Sequence, residues 1–582
     1  MDSSVFSLPD WFKALTLSER AAALRRSPYR PPVADEALAD RRLARWRGQE
    51  PFSTDDFFAR RLAQDGLTED DLRLLLSEPA EAIAARESRR PDWLLTLEEA
   101  FTQQAPESFP EVPSTSASMG FIHLIRPLLD RAYSRLTTGL REIAARHPGL
   151  PMDPATVGPL LAANLPSSLI LLMSRTMVVE LQLARQEGRL AGESPEERFQ
   201  SFVASLCVPE TALTILRQYP VLARGVVRIV DRWLAVSLEI LRRLAADWHD
   251  LRDHFAPDTN PGSLVEMRTG LGDAHRGGRT VTLFRFESGL RLIYKPKPLG
   301  VERAFQDLLD WTARKGFEPG FRTLRLIDRG DYGWIEFIEA LPCEDEAAVR
   351  RFYQRQGAYI ALLWLLEATD FHWENLIASG EHPVLIDLEA LFQPLADELG
   401  SAADETRVGR VLRRTVLSIG LLPSRVWAEG GGEGVDLSGL AGTGGQAAPP
   451  VLRPEGAGTD DMRYTLQPVE LPSGNNLPVL QGEDAGVTRY IGEVVDGFDR
   501  MMRLLLEHKE ELAAPGGPLE AFREAEVRII VRPTRNYAVL FFESYHPYMV
   551  SDALDRDRML DRLWLAASEH PLVERTIPAE RG

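Results

Sequence analysis

The twenty residues from Asp370 to Glu389 constrain this chain more than any other stretch. They read Asp370-Phe371-His372-Trp373-Glu374-Asn375, turn at Ser379-Gly380-Glu381-His382, and continue as Ile386-Asp387-Leu388-Glu389. An Asp, an Asn five positions on and a second Asp twelve positions beyond it form a spacing used in phosphoryl-transfer sites. There the first Asp aligns the acceptor hydroxyl and takes its proton, while the Asn and the second Asp hold Mg²⁺ against the phosphates of ATP. The spacing has a structural cause. Leu376-Ile377-Ala378 and Val384-Leu385-Ile386 are short apolar runs on either side of a turn containing Gly, which is the pattern of a hairpin. A hairpin returns the chain on itself, so Asn375 and Asp387 are expected side by side with hard oxygens directed at one cation. The preceding run, Tyr359 to Leu366, is apolar nearly all round and is expected to be a buried helix giving Asp370 a rigid base. Each polar residue alone reads as a turn former or a helix cap; four in register point to chemistry.

Length and charge narrow the rest. At 582 residues the chain exceeds one ordinary core, which implies two to four domains or one large, elaborated one. Basic residues number 67 against 86 acidic ones, a net charge of −19, which argues against a nucleic-acid partner and makes any phosphate site local. Cys207 and Cys343 are the only cysteines, so neither a disulfide framework nor a Cys-based zinc site is expected, and a reducing cytoplasm is the natural compartment. The start, Met1-Asp2-Ser3-Ser4-Val5, lacks the basic and apolar segments of a secretion signal. The richest apolar run, Ser168 to Met173, is interrupted by Ser174 and Arg175, so no transmembrane segment is expected.

Along the chain, residues 1–252 carry apolar positions at three and four spacing, with breaks at Pro28 to Pro32, Pro106 to Pro113 and Pro148 to Pro154, and are expected to be mainly helical. From Gly262 the texture changes. Val281 to Phe286 and Leu290 to Lys295 flank the turn Glu287-Ser288-Gly289, an expected hairpin whose second strand ends in Lys295. A helix is expected from Val301 to Gly316, then a second hairpin from Leu324 to Asp328 and Gly333 to Ile338. Strand, strand with Lys, helix, two strands, connector, helix and then the Asp370 stretch is the element order of a kinase small lobe, residues 253–345, passing into a large lobe, residues 346–582. Residues 390–480 contain Glu429 to Gly434 and Gly442 to Gly445 in a segment of low periodicity. No Gly-Lys-Ser/Thr follows these glycines, so a P-loop is excluded; an activation-loop-like cover over the site and a surface insertion both fit. The last hundred residues read as helices around one strand pair, Val527 to Val531 and Tyr537 to Phe542.

At this point the motifs resemble a known family, the dehydratase domain of class II lanthipeptide synthetases (LanM type). The matching phrases are Gly272-Asp273-Ala274-His275, Tyr294-Lys295-Pro296-Lys297, Gly333-Trp334-Ile335-Glu336-Phe337, the Asp370 to Asn375 and Ile386 to Glu389 segments, Asp436-Leu437-Ser438-Gly439-Leu440, and Arg528 through Arg532-Pro533-Thr534. Ser544 to Pro547 and Asp555 to Arg558 match as well, and the resemblance runs from about residue 50 to the end. It implies an α+β fold with a bilobal, lipid-kinase-like core, a large helical N-terminal region and helical additions. It also implies ATP-dependent dehydration of Ser and Thr in a precursor peptide bearing a leader. The hydroxyl is phosphorylated and the phosphate is then eliminated to leave dehydroalanine or dehydrobutyrine.

Carried over by motif, Asp370, His372, Asn375, Asp387 and Glu389 belong to phosphorylation. Asp273, His275, Lys295, Arg528 and Thr534 belong to elimination or are shared. Lys295, Asn375 and Asp387 are the expected ATP contacts, with Asn375 and Asp387 as Mg²⁺ ligands. The division suits the chemistry, because elimination must remove a weakly acidic Cα proton while stabilising a departing phosphate dianion. Lys295, Arg528 and the Thr534 hydroxyl are donors of that kind, and either Asp273 or His275 fits as the base. Full-length members continue into a cyclase whose zinc is bound by Cys and His, so this chain is expected to dehydrate without closing thioether rings, which leaves room for a separate cyclase as partner. Two other functions remain open on the residues alone: a kinase that stops at the phosphate, on a peptide or small molecule, and an inactive binding scaffold.

Overall fold

Proline punctuation sets the helices of the N-terminal half. The computed structural model describes residues 3–26, 32–87, 89–111, 116–273, 277–394, 414–426, 434–530, 534–565 and 576–577. They form two compact units, the first of residues 1–246, 453–465 and 532–582, the second of residues 247–452 and 466–531.

The first unit is helical, as the three and four spacing implies. Its longest helices are Arg126–Arg146, Pro166–Gln186 and the start of Pro220–Phe255, and the last two open on a proline, whose missing N–H costs nothing at a helix start. One core gathers Leu17, Trp46, Phe58, Leu72 and Leu75 with Leu554, Leu563 and Trp564 from the far end of the sequence. A buried polar link fixes that junction. Asp561 accepts from Arg61 Nε at 2.7 Å and from Trp46 Nε1 at 2.9 Å, so its charge is met inside the core. Among the described residues one helical run, Pro154–Gln186, is long and apolar enough to cross a membrane; half of its most apolar window is buried inside the fold.

The second unit is α+β. Strands β1 (Leu264–Arg268), β2 (Thr282–Phe286), β3 (Arg291–Lys295), β4 (Leu326–Asp328) and β5 (Gly333–Glu336) form one antiparallel sheet in the order β1-β2-β3-β5-β4. Both hairpins read from the sequence are present, with Thr282 opposite Tyr294 and Asp328 opposite Gly333. The final turns of Pro220–Phe255 brace the sheet, since Asp247 accepts from Trp334 Nε1 and from Arg329 Nε, each at 2.8 Å. The helix Gly300–Arg314 buries Phe305, Leu308, Leu309 and Trp311, the face its spacing indicated. Helix Glu346–Leu365 is the centre of the unit, with residues from Ala358 to Leu363 almost without exposure. It meets the helix Ile491–Glu507 backbone to backbone. A Cβ built on Gly357 would lie 1.9 Å from the carbonyl oxygen of Val494, and one on Gly497 would lie 1.9 Å from that of Gln354.

Two expectations are corrected. The low-periodicity segment contains a two-stranded ribbon, Ala447–Glu455 with Arg463–Glu470. Its prolines hid it, yet both strands of a ribbon are edges, where a missing N–H is tolerated. Residues 395–413 and 427–433 of that segment lie outside the described residues. The strand pair Val527 to Val531 and Tyr537 to Phe542 does not exist: Thr534–Ser544 is a helix, and residues 525–530 have no regular structure. An apolar run without alternation fits either period, and the backbone groups near Arg528 bond elsewhere.

Candidate functional site

The hairpin sets the first part of the site. Strands β6 (Leu376–Ser379) and β7 (His382–Leu385) pair with Leu376 opposite Leu385 across a turn at Gly380-Glu381, where Gly380 takes φ 62°. The pairing carries on past the strands, the Ile386 N–H donating to the Asn375 carbonyl at 3.0 Å, so Asn375 and Asp387 emerge together. The loop before it is strapped down. Thr369 N–H donates to the Ala390 carbonyl at 3.0 Å, Phe371 N–H to Ile419 at 2.9 Å and Trp373 N–H to Leu437 at 3.0 Å, which is where the Asp436 to Leu440 motif acts. Within that loop Asp370 has φ 66°, a left-handed backbone that only Gly, Asn and Asp adopt routinely. His372 caps the short turn Trp373–Asn375, its Nδ1 accepting from the Glu374 N–H at 3.3 Å.

The cations come from the sheet. Lys295, 6% exposed, donates from Nζ to the Ile386 carbonyl at 2.5 Å and lies 3.4 Å from Glu302 Oε1. It therefore holds the backbone beside Asp387 and not the carboxylate. That contact belongs to Lys297, which donates to Asp387 Oδ1 at 2.8 Å and to Glu389 Oε2 at 3.0 Å, with Glu302 Oε1 at 3.5 Å. Burial opposes the charge on Lys297, but Glu302, Asp387 and Glu389 outweigh it and hold its pKa above the ordinary lysine value. Burial would likewise raise the pKa of Asp387; Lys297 and Lys295 overcome that and keep it ionised far below the usual carboxylate range. Asp370 behaves oppositely. Desolvation raises its pKa, His372 and Arg528 offset part of the rise, and repulsion from Asp387 and Asp273 adds to it.

A third group joins through Glu389. Arg528 Nη1 donates to Glu389 Oε1 at 2.8 Å and to Asp273 Oδ2 at 3.2 Å, and its backbone N–H donates to the Glu389 carbonyl at 2.7 Å. Gln393 completes the anchor, donating to the Arg528 carbonyl at 2.6 Å and accepting from the Ile530 N–H at 2.9 Å. These bonds explain why the segment forms no strand. Desolvation works against the Arg528 charge, but Glu389 and Asp273 raise its pKa overall. Of the sequence-derived residues, Asp273, Lys295, Asp370, His372, Asn375, Asp387, Glu389 and Arg528 lie in this one network or against it; His275 lies outside the described residues, and Thr534 opens the helix Thr534–Ser544 with its side chain outside what is described.

Two residues escaped the sequence reading. Lys297 belongs to the Tyr294 to Lys297 phrase, and its spacing of two from Lys295 is a signal that both face one way. Glu302 precedes Phe305 by one turn on the buried face of its helix and is 2% exposed, and a carboxylate on an apolar face calls for a cation.

The donor set suits a hard cation. Asn375 Nδ2 is pinned to the Asp370 carbonyl at 2.8 Å, which leaves Oδ1 as its outward atom. Asp387 Oδ1 is taken by Lys297 and by the Glu389 N–H at 3.2 Å, and Oδ2 has no hydrogen bond among the described residues. No group of three or more His, Cys, Asp or Glu able to hold a metal occurs among the described residues. Mg²⁺ needs only one or two protein oxygens when phosphates supply others.

A family model described as a domain of unknown function (DUF4135) matches residues 219–582, well over half of the chain. The chain belongs to the DUF4135 family. DUF4135 is the LanM-type region, so the family suggested by the motifs is the family found. This DUF4135 chain is 24% identical over 388 residues to the lacticin 481/lactococcin biosynthesis protein LcnDR2 of Lactococcus lactis subsp. lactis. The match covers 64% of this chain and 41% of that protein, so the chain spans about two fifths of the relative's length. Every described site residue lies within the family match.

Proposed function

We propose that this DUF4135 chain dehydrates Ser and Thr residues of a ribosomally made precursor peptide in lanthipeptide biosynthesis, with ATP as phosphoryl donor. The observation that carries the proposal is Glu389, whose two carboxylate oxygens separately hold Lys297, the partner of Asp387, and Arg528, the partner of Asp273. The residues expected for phosphorylation and those expected for elimination thus share one carboxylate, which a plain kinase would not need. Membership of the family and likeness to a protein named for lacticin and lactococcin biosynthesis support the same reading.

In the first step the substrate hydroxyl oxygen forms a bond to the γ-phosphorus, the bond to ADP breaks, and Asp370 takes the hydroxyl proton. A carboxylate with a raised pKa is suited to accept it. Lys297 and Lys295 keep Asp387 ionised, and Asn375 Oδ1 and Asp387 Oδ2 would hold Mg²⁺, which when bound neutralises the phosphate oxygens. In the second step the Cα proton goes to one of Asp273 and His275, the Cα–Cβ double bond forms, and the Cβ–O bond breaks. Arg528 meets the charge of the departing phosphate. The proposal takes the five-stranded sheet with the helix Gly300–Arg314 as the small lobe of a lipid-kinase-like core and the region of helix Glu346–Leu365 as its large lobe. The pairing of strand Lys295 with helix Glu302 supports that assignment. ATP and a ribosomal product as substrates put the reaction in the cytoplasm.

The test is mass spectrometry of the precursor peptide after incubation with the chain, ATP and Mg²⁺. Successive losses of one water mass are expected, and none when EDTA is present. A gain of phosphate that never converts to loss of water would leave a kinase, and an unchanged mass would remove the catalytic reading altogether.

A further inference from the structure

A cavity of about 460 Å³ opens in the first unit. Arg224, Arg228 and Arg232 line it from successive turns of the helix Pro220–Phe255, and Arg556 adds a fourth guanidinium. The carboxylates in its wall are already committed. Glu19 binds Arg224 through both oxygens, at 2.6 and 2.7 Å; Asp65 accepts from Arg61 at 2.6 Å; Asp557 accepts from the Leu17 N–H at 2.6 Å.

Arg228 and Arg232 are different. Both are exposed, and among the described residues no carboxylate lies within ion-pair distance of either. Asp231, between them in sequence, has Arg135 and Arg131 as its charged neighbours. Like charges one turn apart on a helix repel, so this row is unfavourable without an anion. Desolvation lowers the pKa of Arg228, and Arg224 and Arg232 lower it further, with Glu19 offsetting part and Arg556 adding to the repulsion. The wall also carries apolar and aromatic residues, Leu172, Ile229, Leu540 and Phe541 among them, beside the polar Thr16, Ser18 and Gln64.

We propose that this cavity docks an acidic, amphipathic segment of a peptide, its carboxylates pairing with Arg228 and Arg232 and its apolar side chains entering between Leu172, Leu540 and Phe541. Two features favour a peptide over a small anion. The arginine row extends over about 12 Å of helix, longer than one phosphate can engage. A mixed wall of guanidinium, aliphatic and aromatic groups also suits neighbouring acidic and apolar side chains. The proposal rests on the reading that the substrate is a peptide, and it places recognition in the first unit.

The test measures binding without ATP or turnover, so its failure is distinct from failure of the dehydration assay. A short fluorescein-labelled synthetic peptide with Glu and Leu at helical spacing is titrated with the full chain and followed by anisotropy. Saturable binding is expected, weakening as NaCl rises. The combined variant R228E/R232E should bind at least about tenfold more weakly, and R228Q/R232Q should fall between it and the parent, both with unchanged thermal midpoints. No binding by the parent, equal binding of a Gln-for-Glu peptide, or an unchanged affinity in either variant would overturn the proposal. Displacement of the peptide by tripolyphosphate at lower concentration than by unlabelled peptide would also overturn it, in favour of a small-polyanion site.

Discussion

Arg528 and Glu389 are joined twice, guanidinium to carboxylate at 2.8 Å and backbone N–H to backbone carbonyl at 2.7 Å. The double link carries a residue from near the end of the second unit to the centre of the site without any regular element. It also leaves Glu389 Oε2 for Lys297, so one carboxylate balances two cations.

Removing the guanidinium should separate the two proposed steps. Arg528→Ala keeps the backbone bond to Glu389, so phosphorylation should persist within about tenfold while elimination falls by about 10² to 10³, the usual cost of losing a charge-stabilising donor. Phosphopeptide should accumulate in the mass spectrum. Loss of activity with no phosphopeptide would show that Arg528 serves the first step instead.

Lys297 should matter at least as much as Lys295. Lys297→Met leaves Asp387 and Glu389 without the ammonium that both accept from, and phosphorylation should drop by about a hundredfold or more. Stability should change with it. The pKa of Asp387 is depressed in the folded state, so its contribution is complete above the ordinary carboxylate value of about 3.9 and is lost as pH falls below it. The thermal midpoint of the parent should therefore fall more steeply than that of Lys297→Met between pH 4 and pH 2. Parallel curves would mean that the pair contributes nothing.

For Asp370 the sign is reversed. Its pKa is raised above the usual 3.8, so the group accepts a proton more readily and is disabled at a higher pH than an ordinary aspartate. The acid limb of kcat/KM for phosphorylation should lie above pH 3.8. A limb at or below that value would remove Asp370 as the proton acceptor.

The glycine contact supplies a stability test remote from the chemistry. A methyl at Gly357 would have to displace the carbonyl of Val494, so Gly357→Ala should force the two helices apart and lower stability by about 1–3 kcal/mol or more, read as a drop in thermal midpoint. Gly492, with open space around its Cβ position, should accept Ala with little change.

Legibility in the sequence followed the range of the interaction. The Leu376 to Leu385 hairpin, the β2–β3 pair and the buried face from Phe305 to Trp311 rest on local periodicity and turn chemistry, and they stand where their patterns put them. The role of Lys297 did not follow from its own neighbourhood, because its partners lie about ninety residues away and only the fold brings them near. Tyr537 to Phe542 misled for a related reason: an aromatic run has no period of its own, and packing decided for a helix. The Arg228 and Arg232 row was likewise silent, since surface arginines on a long amphipathic helix are ordinary until the acids around them prove to be engaged.

The left-handed backbone at Asp370 decides how that residue can be interrogated. Alanine would remove the carboxylate and at the same time bring a side chain poorly suited to φ 66°, so a dead Asp370→Ala protein would confound lost acid–base chemistry with a collapsed loop. Asparagine has nearly the same outline and tolerates the same dihedral. Asp370→Asn is therefore the substitution whose silence speaks about the proton alone.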